Sequence, residues 1–169
     1  MSPESHIDIA LCGRSMYARI TGLASMSNCM TFQDFSTVLL DAGYERIIVD
    51  LGGCTGVDST FLGVLAGLAT HIEDRKAPLV AIINAGQDNL ETIDNVGLNN
   101  FVDIRSQPIK VPEFETYRID DDAVPDIDRV EFIKESHEKL ISIDKRNQEK
   151  FGALIQAMAA ELAKRNNSK

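Results

Sequence analysis

The run Val49-Asp50-Leu51-Gly52-Gly53-Cys54-Thr55-Gly56-Val57-Asp58-Ser59-Thr60-Phe61-Leu62-Gly63-Val64-Leu65 constrains the fold more than any other part of this chain. The β-branched stretch Ile47-Ile48-Val49 lacks polar alternation and reads as a strand buried on both faces. It passes through a glycine-rich turn into Asp58-Ser59, after which Leu62, Leu65, Ala66, Leu68, Ala69 and Ile72 recur at helical spacing. A strand leading directly into a helix is the building unit of sheets with helices packed on them. It also places a hydroxyl at a helix N-terminus, where unpaired N–H groups and the positive end of the helix dipole favour negative charge. Ser59 on its own reads as a capping serine, and the same position tolerates a phosphate.

The flanking sequence supplies the other elements. Residues 7–12 and 16–21 alternate around Gly13-Arg14-Ser15, which predicts an antiparallel hairpin. After Gly22, Ser27 or Asn28 can cap a helix with Met30, Phe32, Phe35, Val38, Leu39 and Ala42 inward, ending at Gly43. A strand over 46–51, a helix over 59–76 stopped by Pro78 and a strand over 79–83 follow. A helix over 89–99 carrying Leu90, Ile93, Val96 and Leu98, and a short strand over 101–104, complete a ββαβαβαβ order, hence a mixed sheet with helices on it.

Residues 107–128 change character. Pro108, Pro112 and Pro125 interrupt the pattern, and Asp120, Asp121, Asp122, Asp126 and Asp128 form an acidic cluster, so this segment reads as a linker or a strap laid on the surface. Residues 129–169 are rich in helix formers and predict one long helix, or two broken near 142–144. Val130, Ile133, Leu140, Ile141, Phe151, Leu154, Ile155, Met158 and Leu162 form a stripe that must bury against the same domain, a second copy in a homodimer, or a partner.

With 17 Lys and Arg against 26 Asp and Glu, the net charge of −9 argues against nucleic acid or anionic lipid as partner and favours another protein. No apolar window is long enough to span a bilayer, and Met1-Ser2-Pro3-Glu4-Ser5-His6 lacks a signal-peptide pattern, so a cytoplasmic protein is expected. Cys12, Cys29 and Cys54 and the three scattered histidines have no metal-ligand spacing, and no cofactor is implied. Gly52, Gly53 and Gly56 carry neither a P-loop nor a dinucleotide fingerprint and read as turn glycines, while Gly63 inside a helix marks close packing against the sheet. No nucleophile elbow or spaced Ser–His pair is present, so an enzyme is not expected.

Asp50-Leu51-Gly52 followed by Asp58-Ser59-Thr60-Phe61-Leu62-Gly63-Val64-Leu65 resembles the signature of STAS domains, and within them the bacterial anti-sigma factor antagonists. The resemblance covers residues 7–105 in the order and spacing of elements. It implies a STAS (SpoIIAA-like) α/β fold over 1–106, with the C-terminal helices as an extension. It also implies binding to a serine-kinase anti-sigma factor of the histidine-kinase-like ATPase type, phosphorylation at Ser59, a phosphatase that reverses it, and control of sigma-factor-dependent transcription. The implied partner surface comprises Asp58, Thr60, Phe61 and the loop Gly22, Leu23 and Ser25. Two positions depart from the family. Phe61 replaces a usual Gly and is either a partner anchor or a barrier to a kinase, and Gly22-Leu23-Ala24-Ser25 lacks the acidic contact residue usual in that loop. The alternatives are a non-phosphorylated STAS subunit of a larger assembly, such as an ABC lipid transport complex or a stressosome, and a sensor with a ligand pocket between the sheet and the C-terminal helices.

Overall fold

Gly13, at φ +59°, makes the turn between strands β1 (His6–Cys12) and β2 (Ser15–Ala24), which pair antiparallel with Ile9 opposite Ala18. The computed structural model describes residues 4–120 and 126–168; Asp121, Asp122 and Pro125 of the acidic segment and Met1-Ser2-Pro3 lie outside the described residues. Strand β3 (Arg46–Val57) runs parallel to β2, β4 (Val80–Ile83) parallel to β3, and the short β5 (Asp103–Ile104) parallel to β4. On the far side, β6 (Tyr117–Asp120) pairs antiparallel with β1, giving the order β5-β4-β3-β2-β1-β6.

Period-two alternation divides the sheet into two faces. Met16, Ala18 and Ile20 of β2, Ile47, Val49 and Leu51 of β3 and Val80 and Ile82 of β4 enter the main core. There they meet helix α1 (Met26–Asp41), helix α2 (Ser59–Ala69) and Ile93 of helix α3 (Gln87–Asn95). Phe32 of α1 and Phe61 of α2 stack at 5.9 Å in this core, both fully buried. Each stabilises the fold by about 1.5–3 kcal/mol through burial alone. The opposite face presents Tyr17, Ile48, Asp50, Ala81 and Ile83, over which residues 105–116 run as a strap. Helices α4 (Asp126–Ile143) and α5 (Asn147–Asn167) form a third layer, with α4 lying against α2.

Several boundaries differ from the sequence reading. β3 does not turn at its glycines: Gly52, Gly53 and Gly56 continue the strand to Val57, with register shifts against β2 between Arg19 and Thr21 and between Gly22 and Leu23. A Cβ at Gly53 would meet the Ile20 carbonyl at 3.3 Å, so close strand approach, rather than a turn, selects glycine there. α2 stops at Ala69 instead of residue 76: the residues that follow, Ile72 included at 38% exposed, lie on the surface and offer no core face to hold further turns. α1 begins at Met26 after Ser25, and its inward face is Cys29, Phe32, Ser36 and Leu40, while Val38 is 67% exposed. The rotation brings polar Asn28 and Ser36 inside, where Asn28 Nδ2 donates to the Leu23 carbonyl and Ser36 Oγ to Met16 Sδ. Of the segment 107–128, residues 107–116 form the strap, Tyr117–Asp120 form an edge strand, β6, that the prolines and charges around it conceal in the sequence, and Asp126 already opens α4. The break between the last two helices falls at 144–146.

Candidate functional site

The site is assembled where β3 hands over to α2. Asp58 has extended backbone and is the N-cap of α2: its Oδ1 accepts from Phe61 N at 2.8 Å. Its Oδ2 accepts from Met26 N at 3.1 Å, so one carboxylate satisfies donors at the starts of both α1 and α2. Ser59 is therefore the first helical residue, not the cap. The β2–α1 connection lies alongside, with Asp58 N donating to the Ala24 carbonyl, Ser25 Oγ 2.8 Å from Ser27 Oγ and Leu23 46% exposed. Gly22, at φ +74°, sits in the irregular end of β2. These backbone and side-chain bonds bring Asp58, Ser59, Leu23 and Ser25 together.

Thr60 and Phe61 do not join that surface. Thr60 is 6% exposed and Phe61 is fully buried against Phe32, so the Phe61 ring neither anchors a partner nor screens Ser59 from a kinase. The physical reason is direction: at its position in the first turn the aromatic ring points across to α1, and burying its area in the core outweighs exposure.

What screens Ser59 is α4. Ser59 Oγ lies 2.8 Å from His137 Nε2, and His137 Nδ1 lies 2.7 Å from the Ile133 carbonyl. A carbonyl can only accept, so Nδ1 carries a proton, and in the Nδ1–H tautomer Nε2 accepts from the Ser59 hydroxyl. The ring is 1% exposed and Phe151 of α5 packs edge-on at 4.9 Å. This polarity is that of a nucleophile and its base. Sealing by Phe151 and α4 leaves the pair as a hydrogen-bonded tether between layers. The sequence offered no sign of it, because the partners are 78 residues apart and meet only through helix packing.

The same contact explains Gly63. A Cβ there would stand 2.1 Å from the Ser136 carbonyl oxygen, so the close approach that glycine permits is to α4 and not to the sheet. Gly67, one turn on, faces the Lys139 side chain at 3.6 Å. Phe132 and Leu140 of α4 are buried in the main core, and Ser136 Oγ donates within the helix to the Phe132 carbonyl. Buried Asn147 Nδ2 ties the α4–α5 junction down through the Leu140 carbonyl at 2.7 Å and the Val96 carbonyl at 2.9 Å. Of the C-terminal stripe, Leu140 is buried in cis and Phe151 packs partly buried against the main core, while Leu154 is exposed.

On the other sheet face, buried Asp50 accepts from Tyr17 Oη, from Gly52 N at 2.9 Å and from Asn84 Nδ2 at 3.2 Å, with Arg19 Nε at 3.7 Å. Burial, then the Asp50 hydrogen bond, pushes the Tyr17 phenol up to about 12. All three cysteines are free, and burial raises the Cys29 and Cys54 thiols. Among the described residues no cluster of His, Cys, Asp or Glu is arranged to hold a metal, and no helix is long and apolar enough to cross a membrane.

Solved structures share this architecture. The anti-sigma factor antagonist SpoIIAA in its unphosphorylated form aligns with a TM-score of 0.52 at 14% identity, covering 60% of this chain and 89% of that one. A putative anti-sigma factor antagonist from Thermotoga maritima aligns with a TM-score of 0.52 at 17% identity, covering 58% of this chain and 84% of that one. An anti-sigma factor antagonist from Mycobacterium paratuberculosis gives 0.52 at 15% identity, with 63% and 92% covered. At these identities the likeness establishes the fold. No curated protein sequence matches the chain. The family model described as "Mlab, STAS domain" matches residues 8–104, which are the strands and helices from β1 to β5, and the chain belongs to the STAS domain family.

Proposed function

We propose that this protein is a switch of the anti-sigma factor antagonist type. In its free form it binds a serine-kinase anti-sigma factor of the histidine-kinase-like ATPase type, so that sigma factor is released to direct transcription. Phosphorylation of Ser59 by that kinase ends binding, and a phosphatase restores it. The observation that carries this reading is the placement of Ser59 at the first position of α2, directly after a capping Asp58 that also holds the start of α1. Two helix N-termini therefore face this corner. A phosphate of about −1.5 to −2 charges is offset by their dipoles within the fold, while a docking partner meets a new anion.

His137 adds a condition. A kinase reaches the Ser59 hydroxyl only when α4 leaves α2, so docking of the C-terminal helices and phosphorylation compete for one surface. The exposed Leu23 and the edge of the β2–α1 connection stay available in either state.

The Ser59–His137 bond also favours a second reading, in which Ser59 permanently tethers α4 and the protein is a subunit of a larger assembly of the lipid-transport or stressosome kind. Mass analysis of the protein from its own host, alongside Ser59→Ala and His137→Ala, separates the two. A gain of about 80 Da at Ser59, increased in His137→Ala, supports the switch. An unmodified Ser59 in both wild type and His137→Ala after incubation with ATP and host lysate overturns it and leaves the tether.

A further inference from the structure

The face of the sheet that carries no helices holds a cleft of about 510 Å³, within the usual range for small-molecule sites. Its floor is Ile48, Ala81 and Ile83, side chains that alternate away from the main core, and its roof is the strap at Val111 and Phe114. The strap is held to the sheet at two points. Asn84, at φ +57°, donates to the Ile109 carbonyl at 3.0 Å and accepts from Ile109 N at 2.8 Å, and Phe114 rests on the Tyr17 ring at 6.0 Å. Between these points Val111 packs against the Ala10, Tyr17 and Ile83 cluster and lines the cleft.

At one mouth, Arg46 Nη2 and Arg105 Nη2 both meet Asp103 Oδ2 at 2.8 Å. Two guanidiniums against one carboxylate leave a positive charge in excess, and further N–H donors on both remain for a second anion. Lys110 adds a third cation to the lining. In a chain of net charge −9 this is a local reversal of sign beside an apolar trough. The pair already grips one carboxylate, which shows the head-group chemistry that its geometry accommodates.

We infer that this cleft binds a single-chain amphiphilic carboxylate, with its acid group at Arg46 and Arg105 and its apolar body along Ile48, Ala81 and Ile83 beneath the strap. The site lies on the opposite side of the sheet from Ser59 and the C-terminal helices. It is therefore independent of the switch proposed above and differs from a pocket beneath those helices.

The test uses the full chain and dodecanoate below its micellar concentration, read by methyl NMR and calorimetry, with dodecanol and dodecyltrimethylammonium as neutral and cationic controls. The expected result is saturable binding of dodecanoate that shifts the methyls of Ile48, Ala81, Ile83 and Val111, with both controls bound about tenfold more weakly or worse. Arg105→Gln, on a half-exposed side chain, is expected to remove most of that preference without changing the thermal melt. Val111→Trp, which fills the cleft from the strap, is expected to abolish the shifts. Equal affinity for dodecanol, shifts centred elsewhere, or no saturable binding at millimolar concentration each overturn the inference.

Discussion

Gly63→Ala tests the third layer directly. Alanine in the middle of an exposed helix stabilises it by about 1 kcal/mol relative to glycine. At Gly63 the new Cβ stands 2.1, 2.5 and 2.8 Å from the oxygen, carbonyl carbon and Cα of Ser136, all backbone atoms with no rotamer by which to escape. Reaching ordinary contact requires α4 to withdraw by roughly 1 Å or more, and overpacking of this kind costs about 1–3 kcal/mol. Full withdrawal of α4 would re-expose Phe132 and Leu140, at about 1.5–3 kcal/mol each. The expected net effect is a loss of about 1–2 kcal/mol in urea unfolding, with amide exchange in α4 faster than in wild type. Gly67→Ala is the internal control, because its Cβ meets only the Lys139 side chain at 3.6 Å, and it should gain about 0.5–1 kcal/mol. If both alanines stabilise equally and α4 keeps its protection, α4 does not lie on α2 as described. Under the switch reading, Gly63→Ala should also increase phosphate incorporation at Ser59.

Other expectations address separate parts of the molecule. Asn147→Leu leaves the Leu140 and Val96 carbonyls without their donor and should cost about 2–3 kcal/mol in chemical denaturation; a loss below about 0.5 kcal/mol would contradict the junction's geometry. Asp58→Ala removes a cap shared by α1 and α2, so its melt should fall further than that of Ser25→Ala, with about 1–2 kcal/mol lost. The Tyr17 phenol is raised to about 12 in the folded protein against about 10 unfolded, so the folded state holds its proton longer and stability falls as pH rises from about 10 to 12. Tyr17→Phe should flatten that part of the wild-type stability profile, and parallel profiles would show that the phenol does not contribute.

Local pattern carried a large share of the fold. The hairpin was legible because alternation in 7–12 and 16–21 flanks a Gly turn, and the buried strands because β-branched runs have few alternatives. β6 escaped notice because residues 117–120 sit among prolines and charges and gain strand structure only by pairing with β1. The α1 stripe was legible in part: Phe32 is in the core and Met30, Phe35 and Leu39 pack against it, but Val38 and Ala42 face solvent, because side-chain partners for Asn28 and Ser36 let those polar residues face inward and hydropathy counts them as solvent-facing. At the site, Asp58-Ser59 could be placed at a helix start from composition and spacing, yet which of the two is the cap depended on the backbone conformation at Asp58.

The order of strands and helices from β1 to β5, the corner at Asp58-Ser59, the helical character of the C-terminal segment and the presence of its apolar stripe all follow from residues close together in the chain, because capping, alternation and helical periodicity are short-range effects. The tertiary structure alone decided that Phe61 is core, that Gly63 serves α4, that His137 meets Ser59, and that Arg46 and Arg105 converge across β3 and β5. Each of these joins residues distant in sequence, and their meeting is set by how layers pack, which period and propensity along one segment do not encode.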